Sequence, residues 1–284
     1  MNFWILQTLN GVTFGMVLFL LAAGLSLIYG LMRIVNLAHG CFYLAGAYIA
    51  LSVIESTNSF LMSLLVGVIA VSILGIIMER FFLHRFQHDH PSQILLTIGF
   101  VLIIGDLVLL IWGGEPKLLP KPSLFQGSVS IGTAIFPAYH LVIIATGVLV
   151  AIGLWLLQDK TKMGALIRAG VDDTEMARGL GIKVPILFSL VFILGVALSA
   201  FGGIIAGPFI GVSPGMEWEI LLLAMAVLLI GGQGSLKGAF VGSLLVSLVD
   251  NYCKALIPEL GMFFIFGSVA IVLAFKPTGL FGKL

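Results

Sequence analysis

The sequence predicts an all-α protein that crosses a membrane about eight or nine times. Three observations carry that expectation: the composition, apolar runs of bilayer length, and a lopsided distribution of Lys and Arg between the loops. Of 284 residues, 60% are hydrophobic and 10% charged, with a mean hydropathy of +1.19. Soluble domains carry roughly 25% charged residues, so an ordinary soluble chain is excluded. With 14 Lys and Arg against 13 Asp and Glu there is no cationic excess to neutralise phosphates, which argues against nucleic-acid binding. Long uncharged runs, in place of alternating ten-residue segments, exclude an outer-membrane barrel.

A helix needs about 20 apolar residues to cross a hydrocarbon core. No formal charge occurs from Met1 to Met32, and residues 34–54 and 56–78 follow, separated by Glu55. Residues 91–112, 139–157 and 185–207 give three more spans. Shorter apolar pieces at 220–230, 238–256 and 260–275 complete the chain. Nine crossings result if every piece spans, eight if 220–230 is re-entrant. On the nine-span reading, eleven Lys and Arg, from Arg33 to Lys283, fall in one set of loops and Lys117, Lys121 and Lys254 in the other. The positive-inside rule then places the N-terminus outside and the C-terminus in the cytoplasm. The first ten residues hold no Lys or Arg, so the first span reads as a retained helix and not a signal peptide. The whole chain is expected to be one transmembrane domain, 1–284, interrupted by a cytoplasmic loop at 159–185.

Small residues recur every four positions at Ser199, Gly203, Gly207 and Gly211, again at Gly234, Gly238 and Gly242, and at Gly11 and Gly15. Such stripes let helices approach closely. Polar residues within the apolar runs include Gln7, Asn10, Asn36, His39, Asp106, Asp250 and Asn251. Ionisable groups at membrane depth need a reason, whether an interfacial anchor, an interhelical bond or a substrate path. Cys41 and Cys253 read as membrane-packing residues. His84, His88 and His90 fit a basic aromatic juxtamembrane turn better than a metal site. Gly211–Gly215 matches the G-x-S-x-G nucleophile pattern around Ser213, but in a Gly/Pro turn without the strand-to-helix context that chemistry requires. No stretch fits a P-loop, so phosphate cradling is not expected of this chain.

The loop DKTKMGALIRAGVDDTEMARGLGIK has a capping-box-like Asp172 and Glu175, then helix-ending Gly179 and Gly181. A short helix over about 173–180 is expected, with Met176, Ala177 and Leu180 as an apolar face among Asp173, Glu175 and Arg178. Bracketed by two spans, it suits docking in a groove of a soluble partner, although a plain connecting helix has the same look.

Glu175-Met176-Ala177-Arg178-Gly179-Leu180-Gly181 resembles the E-x-A-x-x-x-G core of the coupling loop of ABC importer permeases, with Met176 where a second Ala is usual. Three further segments resemble the branched-chain amino acid branch of those permeases. They are Asn36-Leu37-Ala38-His39-Gly40 running to Gly46-Ala47-Tyr48, Gly231-Gly232-Gln233-Gly234-Ser235 with Gly238, and Pro277-Thr278-Gly279-Leu280-Phe281-Gly282. The Asn-x-Ala-His-Gly form and the short length favour the H-type subunit over the longer M-type one. The resemblance implies an ATP-driven importer of aliphatic amino acids in the bacterial cytoplasmic membrane. Its partners would be an M-type permease, two cytoplasmic ATPases that bind the ATP and Mg, and an extracytoplasmic binding protein. Asp173, Glu175, Met176, Ala177, Arg178, Leu180 and Gly181 would engage an ATPase. Asn10, Thr13, Asn36 and His39 are candidate polar contacts along the substrate path. The wider family also implies urea, short amides or other amino acids as alternative substrates. A separate alternative is an ion-coupled transporter using Asp106, Asp250 or His39.

Overall fold

A computed structural model of the chain describes residues 2–282 apart from Val35, Gln87, His88, Gly132, Thr133 and Asp173. The expectations placed on Asp173, His88 and Lys283 therefore lie outside the described residues. Eleven α-helices follow in order: α1 (Asn2–Met32), α2 (His39–Thr57), α3 (Phe60–Ile77), α4 (His90–Trp112), α5 (Ala138–Lys160), α6 (Lys162–Asp172), α7 (Thr174–Gly179), α8 (Val184–Ile210), α9 (Met216–Gly231), α10 (Leu236–Leu256) and α11 (Gly261–Phe275). A small hairpin, β1 (Ser128–Ile131) and β2 (Ala134–Pro137), pairs antiparallel with Ser128 opposite Pro137 in the loop before α5. Among the described residues eight helices are long and apolar enough to cross a membrane; α9, with 16 residues, falls short of that length.

The apolar runs become helices because the backbone has no water to bond within a bilayer and must satisfy itself. Their ends carry local signals. Ser59 accepts from Met62 N at 3.3 Å, and Ser235 accepts from Gly238 N at 3.0 Å, capping α3 and α10. Asp89 caps α4 through Ser92, whose hydroxyl and amide together hold the carboxyl below the usual aspartate range. A five-residue π-helical turn, Met78–Phe82, extends α3 and turns Glu79 inward, where Ser189 donates to its carboxylate at 2.7 Å.

Helix α1 is the centre of the bundle, buried along most of its length and packed by α5, α8, α9 and α10. Helices α3, α4, α5 and α11 surround this core and turn apolar side chains such as Leu110, Leu149 and Phe275 outward. In water such a surface would mark an interface; on a chain of this composition it is the face that meets lipid.

The two termini lie at opposite ends of the bundle. Near its start α1 meets the end of α10, where the Thr8 and Tyr252 hydroxyls are 2.5 Å apart. Near its end Gly30 sits against Gly234, in the turn that follows α9. That turn also receives the C-terminal tail: Leu280 N and Phe281 N donate to the carbonyls of Ile230 and Gly231 at 2.8 and 2.9 Å. These bonds satisfy last-turn carbonyls that helix geometry leaves open. The opposite end of α9 joins the loop where Val212 pairs with Lys117. Although only about 24 Å long, α9 therefore returns the chain to the end that holds α6 and α7, and does not loop back to its own side.

The connection between α1 and α2 departs from the expected pattern. Asn36 and His39 were expected at the cytoplasmic start of the second span, level with the end of the first. Instead, His39 Nε2 donates to the Leu21 carbonyl at 3.0 Å. Leu21 lies eleven residues, or about 16 Å, back along α1 from its end. The segment after Arg33 folds back into the bundle, and α2 begins within it. Three contacts hold this start: Asn36 Oδ1 accepts from Ala38 N at 3.1 Å, Ser199 Oγ donates to the His39 carbonyl at 2.7 Å, and Gly40 lies against the Glu217 carbonyl. Irregular backbone at this depth is tolerated only where protein covers it.

The small-residue stripe of α8 serves the same junction. A β-carbon added at Gly203 would collide with the carbonyl oxygen of Tyr43 on α2. Gly153 on α5, by contrast, has nothing within 4 Å of such a carbon. Gly203→Leu is expected to cost at least the roughly 1–3 kcal/mol typical of overpacking, whereas Gly153→Leu leaves stability nearly unchanged. Thermal unfolding of both variants in the same detergent compares them directly, and equal melting temperatures would contradict this packing. His39→Ala removes the tie to Leu21 and is expected to destabilise by about 1–3 kcal/mol. A wild-type midpoint for that variant would mean the fold-back does not depend on the imidazole.

Candidate functional site

Two regions of the bundle carry groups that packing alone does not use. The first is the helical pair between α5 and α8. Residues 162–172, read from the sequence as plain loop, form the amphipathic helix α6. Its Arg168 donates to the Gln158 carbonyl and lies 3.7 Å from Asp159, tying α6 to the end of α5. Gly170 sits against Leu31 and Leu187, which seats α6 on α1 and α8.

Helix α7 is the expected short helix, observed over Thr174–Gly179. Gly181 N donates to the Arg178 carbonyl and Ile182 N to that of Ala177, at 2.9 and 3.1 Å. Gly181 adopts φ +82°, a left-handed turn that suits glycine and ends the helix. The expected apolar face changes in one respect. Ala177 is 2% exposed and faces the chain's own interior, while Met176 and Leu180 are 62% and 74% exposed. These two, four residues apart, present an unburied apolar pair, with Glu175 and Arg178 exposed around it. A helix four residues apart in register places both on one side.

The second region is a cavity of about 420 Å³ at the opposite end, between α1, α5, α8, α9 and α10. Asn10 contributes from α1, His140 from α5, Glu219 from α9, and Asp250, Asn251 and Lys254 from α10. Asp250 is 3% exposed and pairs with Lys254 at 2.9 Å through one carboxylate oxygen. Its other oxygen is buried with no hydrogen-bond partner. The His140 ring is held edge-on between Phe136 and Phe209, at centroid distances of 4.9 and 4.6 Å, and its buried Nδ1 is likewise unpartnered.

The four candidate path residues thus separate. Asn10 reaches the cavity. Thr13 is fully buried, its hydroxyl donating to the Leu9 carbonyl at 2.8 Å. Asn36 and His39 are fully buried in the α1–α2 junction. Asp106 lies on the exposed side of α4. Ser213, centre of the nucleophile-like pattern, stands in a turn that follows helix α8.

Sequence reasoning passed over His140, Glu217, Glu219 and Lys254. Glu217 is 5% exposed, and its carboxylate accepts from Gly215 N at 2.9 Å, capping its own helix. For Lys254 a signal was present: it follows Asp250 by four positions, the spacing of a helical ion pair. His140 gave none, because its neighbours Phe136 and Phe209 come together only through tertiary packing.

Comparison with known proteins bears on the chain as a whole. The family profile described as branched-chain amino acid transport system / permease component matches residues 7–273. The high-affinity branched-chain amino acid permease BraD of Pseudomonas aeruginosa is 28% identical, over 98% of this chain and 95% of its own length. LivH of Escherichia coli K12, a permease of the same description, is 29% identical over 99% of this chain and 96% of its own. Among solved structures, an inward-facing transporter described as of the metal-chelate ABC type superposes with a TM-score of 0.52 at 19% identity. That superposition covers 93% of this chain and 84% of the other, a likeness of fold. With nine-tenths of its length matched by the profile, the chain belongs to the permease components of branched-chain amino acid transport systems.

Proposed function

We propose that the chain is one membrane half of an ATP-driven importer that passes aliphatic amino acids inward. Its partners are an M-type permease, two cytoplasmic ATPases that hold ATP and Mg, and an extracytoplasmic protein that captures the substrate. The observation that carries this reading is α7. In a chain of this family, a short helix sits between two membrane spans with Met176 and Leu180 facing outward. An amphipathic helix of that kind fits a groove on a soluble partner. Burying two apolar side chains at roughly 1.5–3 kcal/mol each provides a small but sufficient hot spot. Glu175 and Arg178 supply charge complementarity around it, and Ala177 anchors the helix to its own subunit.

Orientation follows from charge. Lys and Arg concentrate in the loops on the α7 side, which supports a cytoplasmic α6–α7 pair, an outer N-terminus and a cytoplasmic C-terminus. Cys41 is buried, so in a Cys253→Ser background an introduced cysteine is the reactive thiol. Gln126→Cys in the hairpin loop should react with a membrane-impermeant maleimide in intact cells, and Leu180→Cys only after permeabilisation. The opposite pattern would invert the topology.

The double change Met176→Glu, Leu180→Glu should leave membrane insertion intact while lowering recovery of the ATPases with the tagged chain, and ATP-driven leucine uptake, at least tenfold. Undiminished co-purification would remove α7 from the contact. Transport that runs on an ion gradient without any ATPase would favour the secondary-transporter alternative.

A further inference from the structure

The lining of the outer cavity combines polar side chains, Asp250, Lys254, Asn251, Asn10, Glu219 and His140, with apolar ones, Phe14, Ile210 and Ile220 among them. We propose that this cavity receives the zwitterionic head of an aliphatic amino acid, with Lys254 toward the carboxylate, Asp250 toward the ammonium and the side chain against the apolar wall. The assignment rests on the importer reading above and adds to it a place and a chemistry.

Four observations converge on it. The first is size: about 420 Å³ lies at the small end of the range for ligand pockets, with room for a compact molecule and a few waters. The second is charge. Asp250 and Lys254 form a neutral pair, and a zwitterion carries the same two charges in opposite sense. It can lie across the pair and give each member a new partner, leaving the total charge of the site unchanged. A plain anion would face the buried Asp250, and a plain cation would face Lys254. Glu219, an exposed residue, also lines the cavity and brings a second carboxylate to it.

The third observation is unmet hydrogen bonding. Asp250 Oδ1 and His140 Nδ1 are buried at the wall with no partner in the protein. Buried polar atoms are rarely left so, and each calls for an explanation such as a bound molecule. The fourth is position. Asn10 lies 22 residues before the end of α1, about 33 Å along the helix from the α6–α7 end. The tie between Thr8 and Tyr252 and the packing of Trp4 on Tyr252, with ring centroids 5.8 Å apart, close α1 and α10 above the cavity on that side. A substrate delivered to the outer face meets these residues first.

The selectivity that follows is a chemical one. The apolar wall disfavours a charged or strongly polar side chain, because nothing there would pair with it. The polar wall disfavours a ligand that lacks either charged terminus, because Asp250 or Lys254 would then be left facing an uncharged group.

The test uses the complete transporter, reconstituted in nanodiscs with its permease partner, ATPases and binding protein. L-photo-leucine, the diazirine analogue of leucine, is delivered by the binding protein and irradiated, and adducts are mapped by peptide mass spectrometry. Adducts are expected on peptides carrying Phe14, Ile210 or Ile220, and excess L-leucine should suppress them. In proteoliposomes, Asp250→Asn and Lys254→Met should each lower leucine uptake tenfold or more, while the variant chains still co-purify with their permease partner and ATPases. Ile220→Trp, which fills the cavity without touching its charges, should lower uptake comparably and covers the case in which a charge variant fails to assemble. Adducts confined to other parts of the chain, or wild-type uptake in all three variants, would overturn the assignment alone. A wild-type complex that hydrolyses ATP but takes up no leucine would overturn the amino-acid reading, and this assignment with it.

Discussion

A bilayer offers a peptide group nothing to bond with, and the architecture of this chain answers that constraint. Straight helices meet it by construction. The harder case is the stretch between Arg33 and His39, where the backbone re-enters the bundle without being helical. Most polar groups there find a partner, while Asn36 Nδ2 and His39 Nδ1 are buried under protein without one. His39 uses its ring to reach the Leu21 carbonyl, Asn36 mimics a turn by accepting from Ala38, and Ser199 fills the second lone pair of the His39 carbonyl. Gly40 brings α2 against the Glu217 carbonyl, where any side chain would intrude. The Asn-x-Ala-His-Gly segment is thus a junction among α1, α2, α8 and α9. Its residues are chosen for short reach and for hydrogen bonds that survive without water.

The other sequence signatures gain a comparable physical meaning. The Gly231–Ser235 turn and the Pro277–Gly282 tail are far apart in the chain but adjacent in space. Leu280 and Phe281 lend their amides to the last carbonyls of α9, so the tail acts as a C-cap supplied from outside the helix. Gly234 of the same turn rests on Gly30 of α1, two residues before that helix ends. What looks like separate motifs is largely one contact surface at one end of the bundle. That explains why small residues dominate it: backbones approach within van der Waals distance, and bulk would part them.

The spans were legible because membrane helices are written as contiguous apolar runs, and their observed limits fall within a few residues of the expected ones. Helix α7 was also legible, since Gly181 must leave the right-handed region and stops it. Depth was not. Nothing in Arg33-Ile34-Val35-Asn36 states that the chain turns back about 16 Å into the protein, because that choice depends on α8 offering Ser199 and on α9 offering its carbonyl. Helix α6 was missed for a related reason: its eight apolar or small residues form two short stretches between Lys162, Arg168 and Asp172, and only docking against Leu31 and Leu187 decides that it is seated. The cavity was legible only in pieces, as Asn10, Asp250 and Asn251. His140, Glu219 and Lys254 join them through tertiary packing, which no single run encodes.

Helix α8 relates the α6–α7 pair to the cavity at the other end of the bundle. At its start it packs on α7, and at its far end Phe209 and Ile210 line the cavity. Between them lie Gly195, packed on Ile28, Ser199, bonded to His39, and Gly203, in contact with Tyr43. A helix held by such close contacts moves as a body or hardly at all, because dense packing admits discrete rearrangements and resists gradual deformation. Pro208 is placed where this rule relaxes. It withholds one backbone donor in the last turn and weakens the helix just before the cavity wall. The stiff part of α8 thus runs from α7 to the middle of the bundle, and its compliant turn lies beside the cavity. That order leaves the cavity wall freer to adjust while the core of the bundle keeps its register.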